Sequence, residues 1–380
     1  MNRILFASYL TAVALMVPTT SDAAPTYKAT LLHPNGFDRS EGWSISGANQ
    51  VGYGRVTGGD SHALLWNGTA ESAVDLNPAG FTSSIATGVF GAHQVGYGHN
   101  GSYHALLWSG TAGSVVDLTP PGFDHSYATS NSAINQVGYG NGPTTQGLNH
   151  ALLWRGTAES AVDLHPAGFQ TSLAFGVSGT SQVGLGAGPQ YPLDPASHAL
   201  LWNGTPSSVV DLHPAGFYFS QALAASGTTQ VGRGFGGIIN STHALLWSGT
   251  ADSMVDLHPP SFYDSSATGA FGDTQVGYGR PVVTENYSHA LLWKGAAASV
   301  IDLHPFLSDL SPTLVGSEAL AISEMGAIVG IASDAGLNAY AVLWTPVPEP
   351  DSWSLAVFAL TSSLMAHRCL MVRRLPRACH

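Results

Sequence analysis

Two residue types recur in this 380-residue chain at spacings that invite a chemical reading. A histidine opens the pentapeptide HALLW at His62, His104, His150, His198, His243 and His289, and an aspartate follows each at a constant 13 residues, in a DLxP segment (Asp75, Asp117, Asp163, Asp211, Asp256, Asp302). Six histidines and six acids invite a metal reading. Metal ligands must converge on one ion at about 2 Å, and equivalent positions of successive repeats stand far apart in space. The histidines are therefore read as structural, the aspartates as acceptors for backbone N–H groups in the turn that follows, and no metal ligand or cofactor is assigned.

A glycoside hydrolase or lyase needs two carboxylates, or a base with a cation, in one pocket. Acids outside the repeat motif occur (Asp38, Glu41, Asp124, Asp264), but they differ from repeat to repeat. No GxSxG, HExxH or phosphate-loop motif is present, and no catalytic residue is assigned. The sequence carries 24 Asp and Glu against 12 Lys and Arg, and only 9% of its residues are charged. So few cations exclude a nucleic-acid partner, because phosphate binding needs clustered Lys and Arg. Both cysteines, Cys369 and Cys379, fall in the last twelve residues, so no disulfide staples the body.

The elements that must position these residues are set by repetition. A QVGxG segment places its valine at 51, 95, 137, 183, 231 and 276, with a weaker copy at Val329, and Tyr340 opens a degenerate seventh copy of HALLW. The period is 42 to 48 residues through the first six copies, and each unit reads as four short strands separated by Gly, Pro, Asn and Ser. In the second unit these are 84–90, 94–98, 104–108 and 114–118. Four strands per unit of this length is the pattern of a propeller blade. The last unit lacks its DLxP strand, and an orphan copy, Leu31-Leu32-His33-Pro34, stands at the opposite end. The expectation is all-β, a seven-bladed β-propeller over 24–346, closed by the N-terminal strand (26–32) pairing into the last blade.

The spacing locates variability. From each DLxP Asp (or Leu31) to the next QVGxG valine the distance is 20 residues in six cases, and 27 before the last unit, where 305–312 reads as a structural cap. From that valine to the HALLW histidine it is 11, 9, 13, 15, 12 and 13. Length variation thus sits in the loop between second and third strands, on one face of the ring, where recognition usually resides. The candidate ligand-binding residues in these loops are Tyr103, Tyr191, Phe235 and Tyr287 as aromatic surfaces, with Asp60, Asp194 and Glu285 as acceptors, a set suited to sugar C–H faces and hydroxyls.

The units resemble the HAF-family extracellular repeat, named for a His-Ala-Phe core. Leu replaces Phe here, and the trailing Trp, the Asp-Leu and the later Gln-Val-Gly match. The resemblance implies secretion and carries no catalytic residues. Residues 1–23 read as a secretory signal, with Arg3 before an uncharged apolar run and cleavage after Ala23. The far end, 347–380, carries Val347-Pro348-Glu349-Pro350, an apolar stretch and a basic tail with Arg368, Arg373, Arg374 and Arg377. It resembles a PEP-CTERM sorting signal, whose marks are Pro348, Glu349 and Pro350. That resemblance implies an exosortase-type sorting enzyme as partner, membrane contact through the C-terminal segment and an exopolysaccharide-producing, Gram-negative-type host. The combined expectation is an exported, non-enzymatic protein of the cell surface or extracellular matrix that binds or organises polysaccharide. The alternative is a polysaccharide-cleaving enzyme working on the same face.

Overall fold

The computed structural model describes residues 26–188, 197–236, 240–282, 287–311 and 313–348. Ala23, Tyr191, Asp194, Glu285, Glu349 and Pro350 lie outside the described residues, as do the secretory-signal segment and the chain after Pro348. Among the described residues no helix is long and apolar enough to cross a membrane.

Seven four-stranded antiparallel sheets form, each in simple up-and-down order. In blade 2 the strands are Ser83–Phe90, His93–His99, Tyr103–Trp108 and Val116–Asp117. The first strand of each blade touches the first strands of both neighbouring blades in cyclic succession, so these strands line the axis and the ring is closed. The seventh blade takes its outer strand, Tyr27–Leu31, from the other end of the chain. It pairs antiparallel with Ala339–Pro346, from Tyr27 opposite Pro346 to Leu31 opposite Val342. The seven-bladed propeller with its N-terminal closure is as the repeat arithmetic required.

One detail departs from expectation. In blades 1 to 6 the outer strand is two residues long, not five. In blade 2, Ser114 is captured by a one-turn 3₁₀ helix (Ala112–Ser114), its hydroxyl donating to the Thr111 carbonyl (2.6 Å) and accepting from the Ser109 amide (2.8 Å). The ladder therefore starts only at Val116. A short outer strand also leaves little edge open to another chain.

The core is distributed between blades, which is why the same residues recur. The tryptophan of every HALLW copy is fully buried. Trp108, for example, packs with Leu106 against Val51, Ala63 and Leu76 of the preceding blade. The 305–312 insertion starts with a 3₁₀ turn, His304–Leu307, that buries Leu307 against blade 7 and completes the cap.

A polar clamp crosses every seam. The serine that opens the buried part of each inner strand accepts a hydrogen bond from the alanine amide of the preceding blade's HALLW. Ser84 does so from Ala63 (3.0 Å), and Ser40 from Ala341 closes the ring with the same bond (3.0 Å). The repeated His and Asp supply the rest of this clamp. Nδ1 of each HALLW histidine meets the Asp Oδ2, at 2.7 Å for His198 and Asp211. The other Asp oxygen accepts the amide two residues on, here His213 (2.8 Å). His213 in turn stacks on His198 with ring centroids 4.0 Å apart and reaches Ser220 Oγ through Nδ1 (2.8 Å). Blades 3 and 6 repeat the stacked pair as His150 on His165 and His289 on His304.

The clamp has a pH consequence. Burial, and next the positive field of the stacked partner, lower the pKa of His165, His213 and His258 below the ordinary value. The unfolded chain then binds these protons more readily than the folded one. Their contribution to stability is complete above about pH 6.5 and is lost as pH falls through the lowered values. Blade 1 shows a replacement that does not titrate: Asn77 sits at this position and its Oδ1 accepts from Ser84 (2.7 Å). Replacing all three (His165→Asn, His213→Asn, His258→Asn) should shrink the drop in melting temperature between pH 7.5 and pH 5.5. An unchanged drop would assign the acid sensitivity elsewhere.

Candidate functional site

The two ends of the axial channel differ in chemistry. Toward the turns joining first and second strands, a cavity of about 250 Å3 is collared by Trp43, Thr87, Thr129, Phe175, Leu223, Thr268 and Leu320, one residue from each blade. Three of these threonines donate across a seam to the next blade, as Thr87 does to the Ala128 carbonyl (2.8 Å). This end is a collar of large apolar side chains alternating with threonines, held by structural bonds.

The opposite end, on the face of the variable loops, carries the reactive groups. One inner-strand position governs it, the residue between the clamp serine and the following small residue. Around the ring that position is Glu41, Ile85, Tyr127, Leu173, Gln221, Ser266 and Glu318. Each faces the matching second-strand residue in register: Tyr53, Tyr97, Tyr139, Leu185, Arg233, Tyr278 and Ile331. The framework around these positions is constant while their chemistry changes from blade to blade.

Blades 7 and 1 bring two carboxylates to one seam. Glu41 is buried and well partnered. Its Oε1 accepts from Arg39 Nε (2.9 Å) and from the Tyr53 hydroxyl (2.8 Å), and its Oε2 accepts from the Trp43 indole (2.9 Å). Glu318 is placed differently. Burial, followed by the negative field of Glu41, raises its pKa, and a hydrogen bond from the Ser288 hydroxyl offsets this only in part. Glu318 lines a cavity of about 370 Å3 together with Arg39, Ser288, Ile331, Ser333 and Leu337.

Blades 2 and 3 contribute an aromatic cluster. Tyr127 lies 5.1 Å from Tyr97, 5.2 Å from Tyr103 and 4.9 Å from Tyr139, centroid to centroid. His99 (4.9 Å from Tyr103) and His125 (6.2 Å) complete it. Burial and the neighbouring phenols push Tyr97 and Tyr127 up to about 12, so both remain neutral hydrogen-bond donors at any physiological pH. A third feature spans blades 5 and 6. Tyr218 and Tyr263 stand well exposed on the rim, Tyr218 leans on Phe235 (6.0 Å), and the Arg280 guanidinium covers Tyr263 (5.1 Å) while bound to Asp264.

The loop residues anticipated from the sequence meet different fates. Tyr103 belongs to the tyrosine cluster and is 38% exposed, leaving an accessible ring face at its edge. Phe235 is half-buried, stacked on Phe219 (5.9 Å). Tyr287 is half-buried at the seam of blades 6 and 7, and Asp60 is exposed in a turn whose carbonyl accepts from Val56. These four sit in four blades and do not converge. The acceptors that do reach the channel mouth are Glu41 and Glu318, from inner strands. Among the described residues no group of three or more His, Cys, Asp or Glu is placed to hold a metal ion.

Fold and mouth together define a class: a closed seven-bladed propeller with a structural collar at one channel end and a mouth carrying carboxylates, phenols and guanidinium groups at the other. Solved structures of the same architecture are similar to it. An oligogalacturonate lyase from Vibrio parahaemolyticus matches 84% of this chain and 94% of its own, at 12% identity and a TM-score of 0.52. The β-propeller domain of the Trilobed protease from Pyrococcus furiosus, with an open velcro topology, matches 83% and 99% at 6% identity and 0.51. A puromycin-hydrolyzing peptidase of Mycobacterium tuberculosis matches 80% of this chain at 12% identity and 0.57, and the match spans 50% of the peptidase. Identities this low establish the shared fold alone. No family model and no curated protein matches the sequence.

Proposed function

We propose that this chain is an exported surface or matrix protein that holds exopolysaccharide at the channel mouth without altering it. The carrying observation is the tyrosine cluster of blades 2 and 3, whose exposed edge is Tyr103. Aromatic faces stack on sugar C–H surfaces, and the neutral phenols at the mouth supply donors for hydroxyls. The address rests on the two terminal segments. The first directs export, and the second would be read by an exosortase-type enzyme while its apolar stretch contacts the membrane.

The test incubates the full chain with a panel of bacterial polysaccharides and records both retention and new reducing or unsaturated ends. Retention without new ends is the expected result. Tyr103→Ala should weaken it about five- to tenfold, the worth of one aromatic contact. Loss of retention on every glycan would overturn the reading.

A second reading has its own support. A raised carboxylate beside a well-partnered one resembles the division of labour in glycoside cleavage, where one acid is kept protonated and the other ionised. The fold is also that of an oligogalacturonate lyase. New chain ends in the same experiment, abolished by Glu318→Gln, would select this reading.

A further inference from the structure

The cavity between blades 7 and 1 has a charge imbalance that the tyrosine cluster does not share. Arg39 is the cation on its wall, and its guanidinium is bound to Glu41. The other two arginines at the mouth are engaged as well, Arg280 with Asp264 and Arg233 with Gln221. Glu318 is half-buried, and the Ser288 hydroxyl hydrogen-bonds to it in place of a cation. Because Glu41 already engages Arg39, Glu318 is the cavity's carboxylate without a cation of its own. A group in that position seeks a cation, because a partly desolvated carboxylate without one is costly.

The rest of the lining says which cation fits. Ser288 and Ser333 offer hydroxyls, and Ile331 and Leu337 form an apolar wall. The volume of about 370 Å3 lies at the small end of ligand pockets, which run from about 300 to 1,000 Å3. This combination suits a ring with hydroxyls, a C–H face and a primary ammonium. An N-acetylated sugar brings a neutral amide and leaves Glu318 uncompensated. A uronic acid sets a third carboxylate beside Glu318 and Glu41.

We propose that this cavity is a subsite for a hexosamine unit bearing a free ammonium group, as in partly de-N-acetylated polysaccharide. The inference rests on the saccharide-binding reading above and specifies the sugar that the mouth selects. Its ammonium pairs with Glu318, its hydroxyls meet Ser288 and Ser333, and its C–H face lies along Ile331 and Leu337.

The experiment titrates the full chain, purified in mild detergent, with three tetramers: glucosamine, N-acetylglucosamine and galacturonate. The glucosamine tetramer should bind about tenfold tighter than the N-acetylated one, the weight of one charge-assisted hydrogen bond. Galacturonate should bind weakest. Glu318→Gln should remove that tenfold difference without changing affinity for the N-acetylated tetramer. Asp252→Asn, which removes a surface carboxylate in the 251–253 turn, should leave the difference intact and so exclude bulk charge as its cause. Equal binding of the two glucosamine ligands, preference for galacturonate, or a preference that survives Glu318→Gln would each overturn the inference. If N-acetylated or neutral glycans bind in a Tyr103-dependent way with no gain from the free amine, the saccharide reading stands and this one falls. If no glycan binds, both fall. The comparison of ligands on the unmodified chain decides the matter even where Glu318→Gln folds poorly.

Discussion

Removing residues 26–32 should cost this protein its cooperative unfolding transition. The segment is short, but it supplies the whole outer strand of blade 7. Five residues pair with the last described strand, and the Leu32 amide continues the ladder to the Ala341 carbonyl (2.8 Å). Leu32 is completely buried, in the cluster that joins Val329, Ala341 and Leu343 of blade 7 to Ile45, Leu64 and Trp66 of blade 1. Ala29 is buried on the other side, with Trp344 and Ile328. Each large apolar side chain so buried is worth about 1.5–3 kcal/mol, and deleting one from a core costs about 2–5. Losing these contacts with the strand's backbone bonds removes on the order of 5 kcal/mol or more, comparable with the whole stability of a typical domain. The deletion also bares the edge of Ala339–Pro346, an opening for association with other chains. Grafting the same seven residues behind Pro346 through a short glycine-serine loop should restore the transition, since Tyr27 already lies opposite Pro346. Thermal melting of parent, deletion and graft makes the comparison. A deletion variant that melts like the parent would show that the closure carries no stability.

That closure also marks the boundary of what the sequence discloses. Repetition makes the fold readable: the tryptophans, the DLxP leucines and the QVGxG valines recur because seven equivalent seams need the same core. The orphan Leu31-Leu32-His33-Pro34 discloses the ring, and in the structure His33 does the work of the other DLxP histidines. Its Nδ1 reaches Ser40 (2.8 Å), and its ring meets Tyr340 edge-on (5.1 Å), where other seams have stacked histidines. The site is harder to read for the same physical reason. Loop length varies most at the rim, and Asp60 and Phe235 fall there, yet a rim residue faces solvent or its own blade. Convergence happens at the axis, where seven inner strands meet and one varying position per blade is enough to build a mouth. Between a constant serine and a small residue, the series from Glu41 to Glu318 changes identity at every step. That pattern is visible in the aligned units and points at the site more directly than loop length does. The tyrosines of QVGYG pass for repeat furniture until Tyr97 and Tyr139 are seen to meet Tyr127 and Tyr103. Placing Glu318 within the field of Glu41 requires the ring to close, because the two residues come from opposite ends of the body.

The two glycines of QVGxG should respond very differently to alanine, because they are glycines for different reasons. Each inner strand bulges just after the position that varies. In blade 5 the register shifts between Ala222 and Ala224. The bulge turns the carbonyl of Gln221 onto the facing strand at Gly232, and a Cβ there would lie deep inside that oxygen's van der Waals radius, with the Gln221 carbonyl carbon at 2.9 Å. The same backbone oxygen confronts the first glycine in all seven blades, from Glu41 against Gly52 to Glu318 against Gly330. Gly232 lies in a strand paired on both sides and cannot retreat, so Gly232→Ala must break the bulge or the pairing. A loss of about 3 kcal/mol or more is expected, at the upper end of overpacking costs. The second glycine meets side chains first. A Cβ on Gly234 would come within 2.8 Å of both Leu245 Cδ1 and Phe217 Cδ1, groups that can rotate or shift, while the Phe219 carbonyl stays at 3.0 Å. Gly234→Ala should therefore cost about 1–2 kcal/mol. Chemical denaturation of the two single variants measures the difference, and equal losses would mean that the bulge yields as easily as a side chain does. The same bulge connects fold to function. It follows directly on the inner strand's varying residue, and the residues that flank it are small in every blade. A Gly52→Ala or Gly330→Ala change should therefore displace Glu41 or Glu318 directly, and loss of the preference for the free amine should accompany loss of stability in blades 1 and 7 but not in blade 5.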